Sequence, residues 1–127
     1  MAVFDKAYNV YRQFAKWTQS QVWFVTRMKD NAIFHVTKVM VDNTRKKDVQ
    51  GVLKEQYVRI GFKPEGGGED RLKLRRIRYK TEDGRVGVFI ANDFRLPAEE
   101  IAIIYKNRWM NERLFKQIDQ HFLLRYF

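Results

Sequence analysis

The chain has 127 residues, the size of one domain, and 45% of them are hydrophobic and 15% aromatic, enough for a packed core. It has no cysteine, which excludes disulfides, thiolate catalysis and zinc fingers and favours a cytoplasmic protein. No apolar run approaches the roughly 20 residues of a membrane span, and Asp5 and Lys6 interrupt any signal peptide. The 25 Lys and Arg against 15 Asp and Glu give a net charge of +10, which favours nucleic acid as partner over an unpartnered basic surface.

The first 30 residues predict a strand, a helix and a second strand. The apolar "MAVF" ends at Asp5, and Val10, Phe14 and Trp17 then follow at helical spacing. "VWFVTRM" (residues 22–28) is β-branched and aromatic, as expected of a buried strand. Strand, helix, strand is the order of a βαβ unit, in which the two strands are usually parallel.

Residues 31–93 have a different pattern, that of an antiparallel sheet separate from the first two strands. Asp83-Gly84 predicts a tight hairpin turn, because glycine readily adopts the positive φ that such a turn requires. The four predicted strands are "NAIFHVTKVMV", "EQYVRIGF", "RLKLRRIRYK" and "GRVGVFIAND".

The strand "RLKLRRIRYK" (residues 71–80) alternates apolar and basic residues, which predicts one apolar face and one basic face, with a bulge near its centre. The basic set follows a phosphate backbone in one interpretation and protects a solvated edge strand in the other. Its members are Lys73, Arg75, Arg76 and Arg78.

The last element is a helix predicted from about Pro97 to about His121, with Pro97 in its first turn. At about 100° per residue, its polar side chains form a narrow stripe opposite an apolar arc. The stripe consists of Tyr105, Arg108, Glu112, Lys116 and Asp119, and the arc includes Ile103 and Ile104. Such a stripe is most often a solvated face with ion pairs one turn apart. A carboxylate with a cation one turn away on either side could also bind a metal ion while the cations hold phosphates.

At these residues the chain resembles the DDE transposases of bacterial insertion sequences, in the large family with a Tyr-(2)-Arg-(3)-Glu-(6)-Lys signature. Tyr105, Arg108 and Glu112 match the signature in residue and spacing. "FDKAY" is similar to the segment that contains the family's second catalytic aspartate, here Asp5, and "FVTRMKDN" is similar to the strand and basic turn that follow it. The resemblance covers nearly the whole chain.

The resemblance implies an α/β or α+β fold: a partial ribonuclease H-like part (residues 1–30 and 94–127) with a β-rich antiparallel insertion (31–93) in one domain. It also implies metal-dependent DNA cleavage and strand transfer in DNA transposition and recombination. Asp5 and Glu112 would be catalytic carboxylates that hold two Mg²⁺ or Mn²⁺ ions. Tyr105, Arg108 and Lys116 would contact DNA of the transposon ends and target.

The chain departs from the family pattern, because Asp119 occupies the signature's lysine position and the family's first catalytic aspartate lies upstream of a segment like "FDKAY". We therefore expect the C-terminal part of a catalytic domain, inactive alone and prone to form a homo-oligomer through the edge near "MAVF" or "VWFVTRM". Whether the chain is itself an enzyme stays open. The alternatives are a non-catalytic nucleic-acid-binding module and a structural α+β domain.

Other candidate sites are weaker. His35 and His121 are far apart and lack metal-ligand spacing, and Gly66–Gly68 lacks the Lys and Ser/Thr of a phosphate-binding loop.

Overall fold

The computed structural model describes residues 2–4, 11–28, 32–64 and 66–115, with side chains described throughout except at 2–4 and 108–115. Eight elements follow one another in these ranges. They are β1 (Ala2–Phe4), α1 (Tyr11–Gln19), β2 (Phe24–Arg27), β3 (His35–Asp42), β4 (Gly51–Phe62), β5 (Asp70–Lys80), β6 (Val86–Ala91) and α2 (Ala98–Phe115). The fold is thus α+β. Within the described ranges, neither helix is long and apolar enough to cross a membrane.

All six strands belong to one sheet, in the order β1-β2-β6-β5-β4-β3. β1 and β2 are parallel, as the predicted βαβ unit requires, and the five strands from β2 to β3 pair antiparallel. The antiparallel character of residues 31–93 is confirmed. The expected separation from the first strands is wrong, because Val25 of β2 pairs with Ala91 of β6. For the same reason "VWFVTRM" is not a sheet edge.

The hairpin between β5 and β6 forms at the predicted Asp-Gly turn. Gly84 has a φ of 88°, and its N–H donates to the carbonyl of Thr81 at 3.0 Å. Thr81 N in turn donates to the carbonyl of Arg85 at 2.8 Å, which closes the turn. The two strands then pair from Lys80↔Val86 to Arg75↔Ala91.

A helix covers each face of the sheet, and each makes its own core. On one face, the aromatic ring of Phe14 from α1 stacks on Phe24 at 4.1 Å. That cluster also contains Val58, Ile60, Leu72, Leu74 and Ile90. On the other face, the α2 residues Ala98, Ile101, Ala102 and Tyr105 pack on Val25, Val52, Ile77, Phe89 and Ala91. We call the two sides the α1 face and the α2 face.

The two-sided core overturns the prediction for β5. Leu72 and Leu74 face α1, whereas Ile77 belongs to the α2 cluster, so the apolar residues occupy both faces. β5 pairs in unbroken register from Asp70 to Arg78, and the irregularity lies in β4 between Val52 and Lys54. The expected bulge in β5 is therefore wrong, and so is the single basic face.

Candidate functional site

Helix α2 begins where the sequence predicted. Pro97 precedes its first residue, and the carbonyl of Pro97 accepts hydrogen bonds from the N–H groups of Glu100 (3.1 Å) and Ile101 (3.2 Å). Glu99 and Glu100 are exposed in the first turn, where acidic side chains complement the positive end of the helix dipole. The predicted end near His121 lies outside the described residues.

The face that α2 turns towards the sheet differs from the prediction. Tyr105, assigned to a polar stripe, is 5% exposed, and its ring lies 4.4 Å from that of Phe89. Ile103, assigned to the apolar arc, is 48% exposed. The small Ala98 and Ala102 let the helix approach the sheet closely, and this fixes which side is buried. Tyr105 thus anchors α2 by packing.

A cavity of about 550 Å³ lies beside Tyr105 on the α2 face. Its lining combines aromatic rings with charged groups, including Arg27 at the end of β2 and Lys106 of the helix. Tyr79 of β5 and Asp83 of the β5–β6 turn also line it. α2 follows β6, whose last residue pairs near the start of β2, and Tyr105 lines the same cavity as Arg27 at the end of β2. The helix therefore runs along the sheet towards the carboxyl ends of β2 and of the parallel β1.

The remaining predicted site residues on this helix are only partly described. The backbone of α2 includes Arg108 and Glu112, but their side chains lie outside the described residues, as do Asp5 and Lys116. The predicted approach of Asp5 to Glu112 stays a prediction. Among the side chains that the structure describes, no three of His, Asp or Glu form a metal-binding group.

The four basic residues of β5 that were predicted to form one basic face differ in burial. Lys73 and Arg78 are exposed, Arg76 is half-buried, and Arg75 is 3% exposed. Strand alternation places Lys73 and Arg75 on the α2 face and Arg76 and Arg78 on the α1 face. They do not form one continuous surface.

Arg75 joins β5, β4 and the segment leading to α2. Its Nε donates to Glu55 Oε2 at 2.7 Å, and its Nη2 donates to the same oxygen. Its Nη1 donates to the carbonyl oxygens of Asp93, at 2.8 Å, and Leu96. Glu55 is itself 6% exposed, so the ion pair is buried. The sequence analysis did not predict this pair. The available signal was Glu55, a carboxylate within a strand that is rich in apolar residues.

Arg76 also makes internal contacts. Its Nη1 donates to Gln56 Oε1 at 2.9 Å, and its guanidinium lies 4.7 Å from the centre of the Phe34 ring. Burial, with a smaller contribution from the charge of Arg78, lowers the pKa of Arg76 below its ordinary value. These contacts occupy much of the side chain that one of the two interpretations of the sequence placed on a phosphate backbone.

Asp93, at the end of β6, is 1% exposed and pairs with an exposed arginine. Both carboxylate oxygens accept from the Arg95 guanidinium at 3.1 Å, and Oδ1 also accepts from the Arg95 backbone N–H at 2.9 Å. Burial alone would raise the pKa of Asp93, but these hydrogen bonds, with the charges of Arg95 and Arg75, outweigh it and lower the pKa. The Arg95 guanidinium lies 4.7 Å from the centre of the Trp23 ring.

Asn92 joins α1, β2 and β6 by its side-chain amide. Its Oδ1 accepts from Phe24 N at 2.8 Å, and its Nδ2 donates to the Val22 carbonyl at 2.9 Å and to Thr18 Oγ1 at 3.0 Å. The amide therefore bonds three polar groups between the last turn of α1 and the start of β2. An Asn-Asp dipeptide directly after an apolar strand was the signal that could have drawn attention to it.

Comparison with known proteins finds relatives along the whole chain. A family model for the transposase DDE domain matches residues 1–126. The chain is 34% identical over 125 residues to the Sinorhizobium fredii protein y4zB, whose name describes a transposase; the match covers 98% of this chain and 35% of that protein. It is 27% identical over 117 residues to a Geobacillus stearothermophilus protein named as a transposase of insertion sequence element IS5377, covering 92% and 30%.

The chain therefore spans about a third of the length of these curated relatives. No solved structure matches it significantly.

Proposed function

The chain belongs to the transposase DDE domain family, and from this membership we propose that it is part of the catalytic domain of a DNA transposase of a bacterial insertion sequence. The observation that supports the proposal most is the family match over residues 1–126, which includes both proposed carboxylates. The activity is metal-dependent DNA cleavage and strand transfer in the cytoplasm, with the transposon ends and the target as DNA partners.

We assign Asp5 and Glu112 as the carboxylates of a metal site. Oxygen donors of this kind suit Mg²⁺ or Mn²⁺, and two such ions activate an attacking hydroxyl and stabilise a leaving oxygen. The course of α2 supports the assignment, because its later turns run towards the carboxyl end of β1, which Asp5 follows directly. The two carboxyl groups should lie within about 10 Å, a span suited to a pair of ions about 3.5–4 Å apart.

Tyr105, Arg108 and Lys116 have complementary roles in this proposal. Helical periodicity puts positions 105, 108 and 112 on one side of α2. The packing of Tyr105 on Phe89 fixes that side against the sheet, and so sets the direction of the next two turns. Arg108 and Lys116 would then bind phosphates beside the metal ions.

We propose that β1, α1, β2 and α2 form the ribonuclease H-like part and that residues 31–93 form the β-rich insertion. The parallel β1–α1–β2 unit and the sheet position of β6 next to β2 support a fold in which the insertion extends the same sheet. Self-association through the outer edge of β1 is part of this proposal.

Divalent-ion binding tests the metal site directly. We expect the isolated chain to bind Mn²⁺, as measured by electron paramagnetic resonance, and Asp5→Asn or Glu112→Gln each to weaken that binding. Glu100→Gln is the matched control, because Glu100 is an exposed glutamate in the first turn of the same helix. Equal Mn²⁺ affinity in all four proteins would overturn the assignment.

Strand cleavage tests whether the isolated chain, with two proposed carboxylates, is active by itself. With element-end DNA and Mn²⁺ we expect no new 3′-hydroxyl from the isolated chain, because two carboxylates leave a two-metal site short of a bridging ligand. Robust cleavage that Glu112→Gln abolishes would show that another carboxylate completes the site.

A non-catalytic nucleic-acid-binding module is the second candidate, and the exposed basic surface on β4 and β5 favours it. This second function would be supported if the chain binds DNA in a salt-sensitive way and if Asp5→Asn and Glu112→Gln leave its Mn²⁺ affinity unchanged.

A further inference from the structure

Basic side chains form a row across three strands at the end of the sheet furthest from the Tyr105 cavity. His35 of β3 pairs with Arg59 of β4, and Arg59 pairs with Lys73 of β5. Directly paired residues have side chains on the same face, about 4.5–5.5 Å apart. All three are exposed, and Arg71 lies one position further along the same face of β5, opposite Gly61.

This row lies on the α2 face, where no described helix covers it. Val58 and Leu72, which alternate with the basic residues, are buried against α1 on the other side. Beyond Arg75 the α2 face is open and forms a concave surface of about 830 Å³. Arg59, Lys63, Arg71 and Lys73 line it. We call this surface the hairpin patch.

Within the part of the chain that the structure describes, four cations and two carboxylates line the hairpin patch, which leaves it with a net positive charge. Its rim includes Glu69 and Asp70, but neither forms an ion pair with the described cations of the patch. The Asp70 carboxylate instead accepts from the backbone N–H of Arg71 at 2.7 Å. Like charges directly opposite each other, as in Arg59↔Lys73, destabilise a sheet. A bound anion would relieve that repulsion.

Lys73 is held in place by aromatic rings. Its Nζ lies 5.2 Å from the ring centres of both Tyr57 and Phe94, and those two rings meet edge to face at 5.0 Å. Cation–π contacts with two rings restrict the long side chain. The ammonium is thus positioned before any ligand arrives.

Protection of a sheet edge does not explain the whole patch. β5 extends past the last β6 pair at Arg75, so Lys73 and Arg71 lie on a free stretch of strand where cations discourage aggregation. Arg59, however, lies on β4 between two hydrogen-bonded neighbours, His35 and Lys73. An interior position has no edge to protect.

We propose that the hairpin patch binds the phosphate backbone of duplex DNA, a role that rests on the proposed transposase function. A concave row of cations fits phosphates regardless of sequence. Lys73 is six positions from Tyr79, which lines the Tyr105 cavity. Six steps along a strand span about 20 Å, or roughly six base pairs. The patch therefore binds DNA away from the chemistry and positions it, while the α1-face residues Arg76 and Arg78 do not.

The test compares two cross-strand pairs on the same two strands. Arg59→Gln/Lys73→Gln removes two cations from the α2 face, and Lys54→Gln/Arg78→Gln removes a directly opposed pair from the α1 face. At about 50 mM salt, we expect the first double variant to bind a duplex of random sequence on the order of tenfold or more weakly. Its slope of log affinity against log salt should fall by about 2. The second double variant should match the unmodified chain in both.

Circular dichroism and thermal melting check that both double variants are folded. An equal loss of DNA affinity in the two double variants, or a loss only in the α1-face variant, would overturn the proposed role of the hairpin patch. DNA binding by the chain would still stand in that case. No duplex binding by the unmodified chain at low salt would overturn it too. The proposed metal site would still be judged separately, by the effect of Glu112→Gln on Mn²⁺ affinity.

Discussion

Arg75 and Glu55 form a buried ion pair that links β5 to β4, and the same guanidinium donates to the carbonyls of Asp93 and Leu96 just before α2. A buried charge pair contributes less net stability than its contacts suggest, because both ions are desolvated. Loss of one partner is costly, since the other charge stays buried without compensation. This pair therefore fixes how the segment before α2 lies on the sheet.

We predict that Arg75→Ala lowers the free energy of unfolding of the isolated chain by about 3–5 kcal/mol, the usual cost of stranding one buried charge. Urea unfolding followed by far-UV circular dichroism measures it. Lys73→Ala is the control, because Lys73 lies on the same strand face but is exposed; its cost should stay below about 1–2 kcal/mol, the sum of two exposed cation–π contacts. Equal losses in both variants would contradict a special role for the buried pair.

Tyr105 should stabilise the protein mainly through its ring. We predict that Tyr105→Ala costs about 3–5 kcal/mol, as for other large buried aromatic side chains, and that Tyr105→Phe costs far less because it keeps the packing on Phe89. Ile103→Ala, two positions earlier and half exposed, should cost under about 1 kcal/mol. Thermal and urea unfolding of the three variants give the comparison. A larger loss of stability for Ile103→Ala than for Tyr105→Ala would support the orientation of α2 that was predicted from the sequence.

The elements themselves were predictable from local patterns. The strands between residues 31 and 93, the Asp83-Gly84 turn and the start of α2 after Pro97 all depend on neighbours in sequence, so they could be found without a structure. The faces of β5 could not be predicted in this way. Which of its sides is buried depends on α1 and α2, which contact it from distant parts of the chain.

The same distinction between local and long-range features holds for the candidate site. The spacing of Tyr105, Arg108 and Glu112 lies within two helical turns and is readable in one sequence. The burial of Arg75 depends on Glu55, 20 positions away, and the position of Arg59 beside Lys73 depends on the β4–β5 register. Charge patterns within one strand cannot show whether a partner strand supplies a carboxylate or another cation.

The Asp93 carboxylate should make stability depend on pH in the acid range. Its pKa is lowered in the folded protein from an ordinary value of 3.8. Its contribution is therefore complete above about that value and is lost as pH falls through the lower folded pKa. We predict that Asp93→Asn is less stable than the unmodified chain at pH 7 and that the difference shrinks below about pH 4. Urea midpoints measured from pH 7 down to the acid limit test this prediction.

Asp83 provides a control for that measurement. Its pKa is also lowered, by hydrogen bonds from Thr81 and from the Arg85 backbone, but it lies in an exposed turn. Asp83→Asn should leave stability nearly unchanged, because exposed ion pairs and turn contacts contribute little. If the stability difference between Asp93→Asn and the unmodified chain does not shrink in acid, the loss of stability comes from altered packing or hydrogen bonding and not from the lost carboxylate charge.

Asn92 should show the opposite pH dependence when it is replaced by a carboxylic acid. Its Nδ2 donates to the Val22 carbonyl and to Thr18 Oγ1, so in Asn92→Asp an oxygen would face that carbonyl oxygen at about the same distance. This repulsion and the burial of the site both favour the protonated acid and raise its pKa in the folded state. A group with a raised folded pKa destabilises the protein increasingly as pH rises through its unfolded value, near 3.9. We predict that Asn92→Asp is markedly less stable than Asn92→Ala at pH 7 and approaches it near pH 4, as measured by urea unfolding. A difference in stability between the two variants that stays constant from pH 7 to pH 4 would mean that the amide's donor contacts are not what holds the start of β2.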